Sequence, residues 1–181
     1  IFKVRLIENG TDLNSNGEIE YSEAEVEDTI FAFSYWGEKI NDLTGLEAFI
    51  NLKYLDCSYN QITEINLSSN ILLETLISTH NQLGSLNVLF CPLLRKLDID
   101  YNFIDSLDLS NCLELVEIDC ANNLLASLIL PQGSNLEKLF CRMNNLSELN
   151  LGINNGMKEL RCQDNAMENL VISGCDSLKY L

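Results

Sequence analysis

A repeat of 21 residues runs through most of the chain and restricts its fold more than any other feature. The first position of the repeat is apolar in every copy: Leu52, Leu73, Leu94, Leu115, Leu136, Met157 and Leu178. With Leu52 as position 1, position 9 is always asparagine: Asn60, Asn81, Asn102, Asn123, Asn144 and Asn165. The unit LxxLxCxxNxLxxLxLxxNxx occurs in six whole copies and the beginning of a seventh. Such a period indicates a solenoid, in which each copy stacks on the previous one.

The spacing of apolar residues within the repeat predicts the shape of one coil. Positions 4 and 6 alternate inward on a short strand, and the strands of successive coils stack into a parallel sheet. The asparagine at position 9 offers two donors and an acceptor, so we expect it to satisfy turn groups and bridge neighbouring coils. Positions 11 to 16 return on the opposite side. A coil of 21 residues has no room there for a full helix, so a second short strand or 3₁₀ turn is expected.

This pattern resembles the leucine-rich-repeat family over residues 52–181. The 21-residue unit, with its Leu-x-x-Leu-Asp/Asn-Leu return run, is similar to repeats of bacterial surface proteins, particularly those of the Bacteroidetes. The resemblance implies a mostly β solenoid, built as a right-handed array of six full coils. It also implies a location outside the cell or on the bacterial surface. Function is less constrained, because such folds serve many unrelated partners. Since the sequence stops within a repeat, we expect the native polypeptide to continue.

The repeat also accounts for the seven cysteines. Four occupy position 6, and three occupy position 19: Cys57, Cys120, Cys141 and Cys162, then Cys91, Cys112 and Cys175. Position 6 points into the core, where a thiol behaves as a small hydrophobic group. We therefore predict buried free thiols; structural disulfides and a metal site are the less favoured alternatives. The sequence has no CxxC pair and no Cys/His cluster with zinc spacing.

A second motif precedes the repeats and fits D-x-[DN]-x-[DN]-G-x₅-E at every position. It predicts a calcium loop with six ligands: Asp12, Asn14, Asn16, Glu18, Glu20 and Glu23. Glu18 would contribute its backbone carbonyl, and Glu23 would close the site with both carboxylate oxygens. Because only one loop is present, we expect a structural ion of modest affinity. The plain alternative is an acidic turn that only favours the start of a helix.

The residues around this loop are predicted to cap the solenoid, whose first coil would otherwise expose an apolar edge. We predict a helix from Ser22 to Phe33, with Val26, Ile30 and Phe33 on the face that covers the first coil. Residues 1–51 also resemble the N-terminal region of the same bacterial surface proteins. The predicted divisions are an EF-hand-like calcium-binding cap, a linking helical turn or first coil cap, and the leucine-rich repeats: residues 1–36, 37–51 and 52–181.

The charge of the chain limits its partners. With 11 Lys and Arg against 27 Asp and Glu, the net charge is −16. Such a surface repels phosphate backbones and anionic lipid headgroups, which argues against nucleic acid and membrane binding. No apolar run approaches the roughly 20 residues that cross a bilayer. No nucleophile–base pair or Gly-rich phosphate loop stands out, so we predict a binding module, expected to be monomeric, and not an enzyme.

The outward-facing strand positions on the concave side of the solenoid, which are positions 3, 5, 7 and 8 of the repeat, form the predicted partner-binding surface. Its N-terminal half is aromatic and acidic: Tyr54, Asp56, Tyr59, His80, Asp98, Tyr101 and Asp119. Its C-terminal half carries Phe140, Arg142, Met143 and Arg161. Aromatic, methionine and arginine side chains are enriched at protein interfaces. An ordinary solvated sheet face with scattered apolar residues is the alternative.

Three functions follow from this surface. In the preferred one the module is adhesin-like and holds a protein on a host or neighbouring cell. In the second, tyrosine rings stack on sugars while carboxylates accept hydrogen bonds from the sugar hydroxyls. In the third, the solenoid is a structural spacer for another domain. Loss of Tyr59 and Tyr101 should abolish glycan binding but only weaken a broad protein interface, whereas loss of Phe140 and Arg142 should do the reverse.

Overall fold

Short strands stacked at the repeat interval dominate the computed structural model, which describes residues 1–133, 135–152 and 154–180. The chain forms a β solenoid of about seven turns. Its helical elements are α1 (Phe2–Glu8), α2 (Tyr21–Ala24) and a 3₁₀ helix (Leu46–Ala48). The strands are β1 (Thr29–Phe31), β2 (Tyr54–Asp56), β3 (Thr75–Ile77), β4 (Lys96–Asp98), β5 (Ser106–Asp108), β6 (Glu117–Asp119), β7 (Ser127–Ile129), β8 (Lys138–Phe140), β9 (Glu148–Asn150), β10 (Glu159–Arg161) and β11 (Asn169–Val171). Within the described ranges, no helix has the length and apolar character needed to cross a bilayer.

The main sheet has seven strands in the order β1-β2-β3-β4-β6-β8-β10, and every pair is parallel. From β2 onward, equivalent positions of neighbouring coils lie opposite each other, as Leu55 does with Leu76 and Leu97 with Ile118. These four side chains are fully buried. The predicted parallel sheet, with position 4 facing the core, is therefore confirmed.

The return side of the solenoid carries two smaller parallel sheets. One pairs β5 with β7 and the other pairs β9 with β11. The central residues of both pairs are leucines at position 14 of the repeat, such as Leu107 beside Leu128. These coils therefore confirm the predicted second short strand.

Buried asparagines link successive coils. In Asn102, Oδ1 accepts a hydrogen bond from the Leu83 N–H at 3.0 Å, and Nδ2 donates to the carbonyls of Ser78 and Ile99 at 2.8 and 3.0 Å. Asn81 repeats the arrangement one coil earlier, accepting from the Ile62 N–H at 3.0 Å. One side chain thus satisfies backbone groups in its own coil and in the coil before it, as the sequence predicts.

All seven cysteines are free thiols. Five are buried and two are half-buried: Cys57, Cys91, Cys112, Cys120 and Cys141, then Cys162 and Cys175. Burial raises the pKa of Cys57 and Cys141 to about 12, because a thiolate would lose its hydration in the core. The prediction of free thiols is confirmed, and their burial is complete only in the first five.

The predicted helix from Ser22 to Phe33 is wrong. Helix α2 ends at Ala24, and the chain then extends into β1, where Ile30 lies opposite Leu55 of β2. Val26, which the helical spacing would bury, is 67% exposed.

Burial in this segment follows a period of two and not of four. Ile30, Ala32 and Ser34 are buried, whereas Phe31 and Phe33 point outward. Ile30 thereby extends the position-4 column of the repeats to the first strand. Pairing with β2 outweighs the local helical spacing because it satisfies backbone groups and buries these side chains together.

The N-terminal segment covers the start of the solenoid through apolar contacts. Phe2 and Leu6 of α1 are buried in one cluster with Ile40, Leu46 and Phe49. This cluster is continuous with the leucine columns of the repeats. A small helix and a short 3₁₀ turn therefore shield the first coil, in place of the longer helix that the sequence predicts.

Candidate functional site

The outward surface of the seven-stranded sheet, together with the residues just after each strand, is called the sheet face here. Positions 3 and 5 of the repeat project outward from the strands and are mostly half-buried, as in Tyr54 and Asp56 of β2. The predicted partner-binding residues all lie on this face or at its margin. Their order along it follows the order of the coils.

Position 8 lies beyond the end of the strand, so its predicted place on the strand is wrong. Each strand ends at position 5, and position 8 adopts a left-handed conformation with φ between 49° and 59°. The column contains Tyr59, His80, Tyr101, Asn122, Met143 and Asp164. This conformation is uncommon for residues other than glycine. Backbone hydrogen bonds between coils maintain it, including Tyr59 N–H to Thr79 O and His80 N–H to Asp100 O, both at 2.9 Å.

Aromatic rings form a continuous row along the N-terminal half of this margin. The ring of Tyr35 lies 4.1 Å from that of Tyr59, His80 lies 4.4 Å from Tyr59, and Tyr101 lies 4.4 Å from His80, measured between ring centroids. Three further rings continue the contacts onto β1 and β2. The aromatic row is defined as Phe31, Phe33, Tyr35, Tyr54, Tyr59, His80 and Tyr101.

Stacking in the aromatic row determines which parts of the rings a partner could reach. Tyr59 and His80 each lie between two rings, so both of their faces are occupied. At these two residues the ring edges and the polar groups on them remain accessible. Tyr101 lies at the end of the row, stacks on His80 and is 49% exposed. Trp36, next to the row, is 92% exposed.

Phe31, Phe33 and Tyr35 are not among the predicted site residues, because they fall in the predicted helix and its cap. Their signal was present in the sequence. Residues 30–35 alternate small or apolar residues with aromatic ones, which is the period of a strand. Ile30 and Ala32 also have the spacing of positions 4 and 6 in the repeats. This match does not appear in a search at the 21-residue period, because Ile30 pairs with Leu55, which lies 25 residues later in the sequence.

A set of aspartates lies on the strands beside the aromatic row. Asp56, Asp98 and Asp119 each accept a hydrogen bond from the backbone N–H two residues later, at 3.0, 3.4 and 3.1 Å. This contact stabilises the turn after the strand, so it gives these residues a structural role. Asp98 and Asp119 are neighbours across β4 and β6.

The electrostatic environment of these aspartates is strongly negative. Burial raises the pKa of Asp98 and raises that of Asp119 to about 6, and the charges of Asp98 and Asp100 add to the effect on Asp119. In the described part of the chain, no Lys or Arg lies within ion-pair distance of Asp56, Asp98, Asp100 or Asp119. The lysine nearest in register, Lys96, pairs with Glu117 at 2.9 Å. These carboxylates are therefore available to a partner of opposite charge.

The C-terminal half of the sheet face has a different character. The guanidinium of Arg161 lies 5.1 Å from the centroid of the Phe140 ring and pairs with Glu159 at 2.6 Å. Arg142 and Met143 are exposed on the turn that follows β8. Asn122 separates Met143 from Tyr101 in the position-8 column, so the two predicted halves do not form one aromatic surface.

The predicted calcium loop is closed by its own polar side chains. Glu23 is buried; its Oε1 accepts from the N–H of Leu13 at 2.8 Å, and its Oε2 accepts from the N–H of Glu20 at 3.0 Å. Hydrogen bonds with Glu20, followed by those from the loop backbone, lower the pKa of Glu23. Asn14 and Asn16 donate from Nδ2 to the Glu20 carboxylate at 3.2 and 2.6 Å.

Asp12 completes this arrangement by accepting from the N–H of Asn16 at 3.2 Å and of Gly17 at 2.8 Å. Gly17 has φ +82°, which allows the sharp turn. The side chain of Glu18 pairs with Lys3 outside the loop. Among the described residues, no three His, Cys, Asp or Glu side chains are grouped to hold a metal ion. Any ion here would therefore also need the amide oxygens of Asn14 and Asn16.

Comparisons with known proteins identify the fold but not a family. No protein-family model and no curated protein matches the chain. Among solved structures, it is similar to the functional domain of InlJ from Listeria monocytogenes, at 25% identity and a TM-score of 0.67 over 90% of this chain. YopM from Yersinia enterocolitica matches at 27% identity and a TM-score of 0.69 over 85%. An internalin, inlF of Listeria monocytogenes, matches at 16% identity and a TM-score of 0.61 over 97%, which shows the fold alone.

These neighbours are leucine-rich-repeat proteins, and the chain shares their solenoid. It spans 40% of the InlJ chain, 32% of the YopM chain and 74% of the inlF chain. The InlJ domain is described as including a cysteine ladder. In this chain, Cys120, Cys141 and Cys162 likewise occupy the same position in three successive coils.

Proposed function

We propose that this chain is a protein-binding module that contacts its partner through the sheet face, chiefly at the aromatic row and the aspartates beside it. The observation that carries the proposal is the continuous stack of Tyr35, Tyr59, His80 and Tyr101. The rings are held on a rigid backbone, so little side-chain entropy is lost on binding. Tyrosine and tryptophan are the residues most often found at energetic centres of protein interfaces.

The same stack argues against the glycan alternative. A sugar packs its apolar side against the face of an aromatic ring, and both faces of Tyr59 and His80 already contact other rings. The exposed ring edges and phenol groups suit a polar protein surface better. The high negative charge of the chain favours a partner with basic side chains.

The wider setting of this activity is also a proposal. The leucine-rich-repeat neighbours from Listeria and Yersinia support a bacterial adhesin-like role, in a protein that is secreted or displayed on the cell surface. The partner would then be a protein on a host or neighbouring cell. Modest calcium affinity at the N-terminal loop would suit the calcium level outside cells.

The loop formed by residues 12–23 is proposed to bind a structural calcium ion. Its donors are all oxygens, which is the set that calcium prefers. Asp12, Asn14, Asn16, Glu20 and Glu23 are already connected by hydrogen bonds around the loop. An ion would cross-link them and hold the N-terminal segment against the first coil.

Binding is tested with purified cell-surface proteins and a glycan array in millimolar calcium. The variant Tyr59→Ala/Tyr101→Ala removes two rings of the row, and Ile71→Ala/Ile129→Ala is the control, since those side chains are about as exposed as Tyr101 but lie off the sheet face. We expect a protein ligand that the control keeps and the ring variant loses. A ligand kept equally by both variants would contradict the proposed surface, and a sugar lost by the ring variant would favour the glycan alternative. If no protein or sugar is retained, the spacer role becomes the better description.

Calcium binding is tested by calorimetry and thermal unfolding, with and without a chelator. We expect Glu23→Gln to abolish the calcium-dependent rise in Tm. Glu18→Gln is the control, because its side chain pairs with Lys3 and only its carbonyl is a predicted ligand. At 100 times Kd, a bound ion stabilises the fold by about 2.7 kcal/mol. The absence of both a heat of binding and a Tm shift in the native chain would refute the site.

A further inference from the structure

A cavity of about 340 Å³ opens on the sheet face between the aromatic row and the aspartates. Tyr35 and Tyr59 line it together with Asp56 and Asp98, and Ser58 and Ile77 also contribute to its lining. The cavity therefore combines an aromatic wall, an apolar patch and two carboxylates. This combination suits a side chain that is apolar along its length and positively charged at its end.

The polar groups that line the cavity can form more hydrogen bonds than they make within the chain. One oxygen of Asp56 accepts from the Ser58 N–H and one of Asp98 accepts from the Asp100 N–H. No described residue donates a hydrogen bond to the second oxygen of either carboxylate. The hydroxyl of Ser58 is buried and also has no hydrogen-bond partner. A buried polar group without a partner is costly, so a bound donor would relieve this cost.

No cation of the described chain fills this role. Lys39 lies near Tyr59, but its ammonium donates to the Tyr59 carbonyl at 2.7 Å and to the Ser34 carbonyl. Lys96 is paired with Glu117. The charge of Lys96 favours the ionised form of Asp98, but among the described residues neither Asp56 nor Asp98 has an ion-pair partner.

The spacing of the two carboxylates distinguishes between possible cations. Asp56 and Asp98 lie on β2 and β4, with Ile77 of β3 between them. Neighbouring strands are about 4.8 Å apart, so the two backbones are separated by about 10 Å. An ammonium group is compact and would reach one carboxylate at a time. A planar guanidinium carries five donors and, with a hydrogen bond of about 2.9 Å at each end, can span most of this gap.

We propose that this cavity receives an arginine side chain of the partner protein, with its guanidinium between Asp56 and Asp98 and within hydrogen-bonding reach of the Ser58 hydroxyl. The methylene stem packs against the exposed edges of the Tyr35 and Tyr59 rings, whose stacked faces contact each other. The inference rests on the proposed protein-binding function and specifies the chemistry of the partner at this point. The net charge of −16 favours the approach of such a basic partner.

The ionisation of the cavity agrees with this geometry. Burial raises the pKa of Asp98, and the nearby charge of Asp100 adds to this effect. Burial likewise raises the pKa of Tyr59, with further contributions from Tyr35 and from the charges of Asp100 and Asp98. A guanidinium in the cavity would lower the pKa of both groups, which provides a readout independent of affinity.

The test uses the whole chain and short blocked peptides as probes. Acetyl-Gly-Arg-Gly-amide is compared with the same peptide containing lysine or citrulline, the uncharged isostere of arginine. Binding is followed by the amide chemical shifts of the isotopically labelled chain, and the pKa of Tyr59 is followed by its ring shifts. We expect saturable shifts at Tyr59 and Asp98 with the arginine peptide, binding about tenfold weaker with citrulline, and a lowered Tyr59 pKa.

Two variants remove the charges and keep the turns. In Asp56→Asn and Asp98→Asn the amide oxygen can still accept the backbone N–H, so the chain should fold, and its Tm reports whether it does. Each is expected to weaken the arginine peptide about tenfold. Asp108→Asn is the matched control, because Asp108 accepts from the Ser110 N–H at 2.9 Å in the same kind of turn on the return side. This control should bind like the native chain.

Three results would overturn the inference: equal binding of arginine and citrulline peptides, tighter binding of the lysine peptide, or unchanged affinity in folded Asp98→Asn. None of these results depends on finding the natural partner. A protein ligand lost by Tyr59→Ala/Tyr101→Ala but insensitive to Asp56→Asn and Asp98→Asn would leave the proposed function standing and reject only the arginine cavity.

Discussion

Residues 1–51 and residues 52–180, the N-terminal segment and the repeats, are stabilised in different ways. In the repeats the same contacts recur from coil to coil, as the hydrogen bonds of Asn81 and Asn102 show. In the N-terminal segment the contacts are individual, such as Asn9 Nδ2 to the Phe31 carbonyl at 2.6 Å, and many are exposed. Recurrence lets each coil support its neighbours, whereas the N-terminal segment depends on single polar groups and a small apolar cluster.

The largest expected difference between the two regions concerns apolar side chains. Leu97→Ala should lower the free energy of unfolding by about 4 kcal/mol, because Leu97 is fully buried at the centre of the sheet and its loss leaves a cavity. Val26→Ala in the N-terminal segment should change it by less than about 0.5 kcal/mol, since that side chain is exposed. Urea unfolding measures both. A large loss of unfolding free energy in Val26→Ala would indicate that Val26 is buried, as the predicted helix from Ser22 to Phe33 required.

The next effect concerns the asparagines. Asn102→Ala should cost about 3 kcal/mol, because the buried Leu83 N–H and the carbonyls of Ser78 and Ile99 lose their partner. Asn9→Ala should cost less than about 1 kcal/mol, since water can replace an exposed contact. Equal losses in chemical unfolding would mean that the repeats do not depend on their asparagines as described.

Acid should affect the two regions in opposite directions. The folded-state pKa of Asp119, about 6, lies above its ordinary value of 3.8. Its contribution to stability is therefore complete below pH 3.8 and lost as the pH rises through about 6. The pKa of Glu23 is lowered from 4.5, so its contribution is complete above pH 4.5 and lost as the pH falls through the lowered value.

Between pH 7 and pH 5, roughly, the repeats should thus gain less than about 1 kcal/mol while the N-terminal loop is unchanged. Asp98 and Asp100 oppose ionisation of Asp119 in this window, and Arg142 favours it. Hydrogen exchange resolved by residue measures the two regions separately. Asp119→Asn should flatten the response, and Asp108→Asn, whose carboxyl has a lowered pKa, should not. Destabilisation of the repeats on going to pH 5 would show that the sign is wrong.

The smallest expected effect concerns surface ion pairs. Glu117 contacts Lys96 and Lys138 at 2.9 and 3.0 Å and links three strands, so Glu117→Gln should cost about 0.5 kcal/mol. Glu18→Gln removes the isolated pair with Lys3 in the N-terminal segment and should be too small to detect. Thermal unfolding at low and high salt checks both, because only an ion-pair contribution should disappear with salt.

The sequence predicted the parts of the molecule in which one residue type has one physical role. An apolar residue that recurs at position 4, such as Leu55, is stabilised by burial and therefore lies in the core. An asparagine repeated at position 9, as in Asn102, implies unpaired backbone groups at a turn. The prediction failed at Ile30, where helical and strand spacing both fit a short apolar stretch. It also failed at Tyr59, which was predicted to lie on a strand. Tyr59 adopts a left-handed conformation, which is uncommon for residues other than glycine, so its residue type did not indicate a turn.

For the candidate site, the sequence identified Tyr59, His80 and Tyr101 as outward residues but not the contacts among their rings. It could not place Tyr35 beside Tyr59, because the 25-residue offset of β1 breaks the repeat at that point. The cavity beside Asp56 and Asp98 also depends on side chains from several coils. Distances of this kind arise only when the coils are stacked.

The amino-acid sequence by itself determined that this chain is a solenoid of short strands, with a leucine core, an asparagine column and free thiols. It did so because a 21-residue period leaves a single way to bury every copy at once. Only the tertiary structure decided that the N-terminal segment supplies the first strand and that the aromatic rings stack on one another. The physical reason is that backbone pairing with β2, and not local spacing, determines where Ile30 and the rings around it lie.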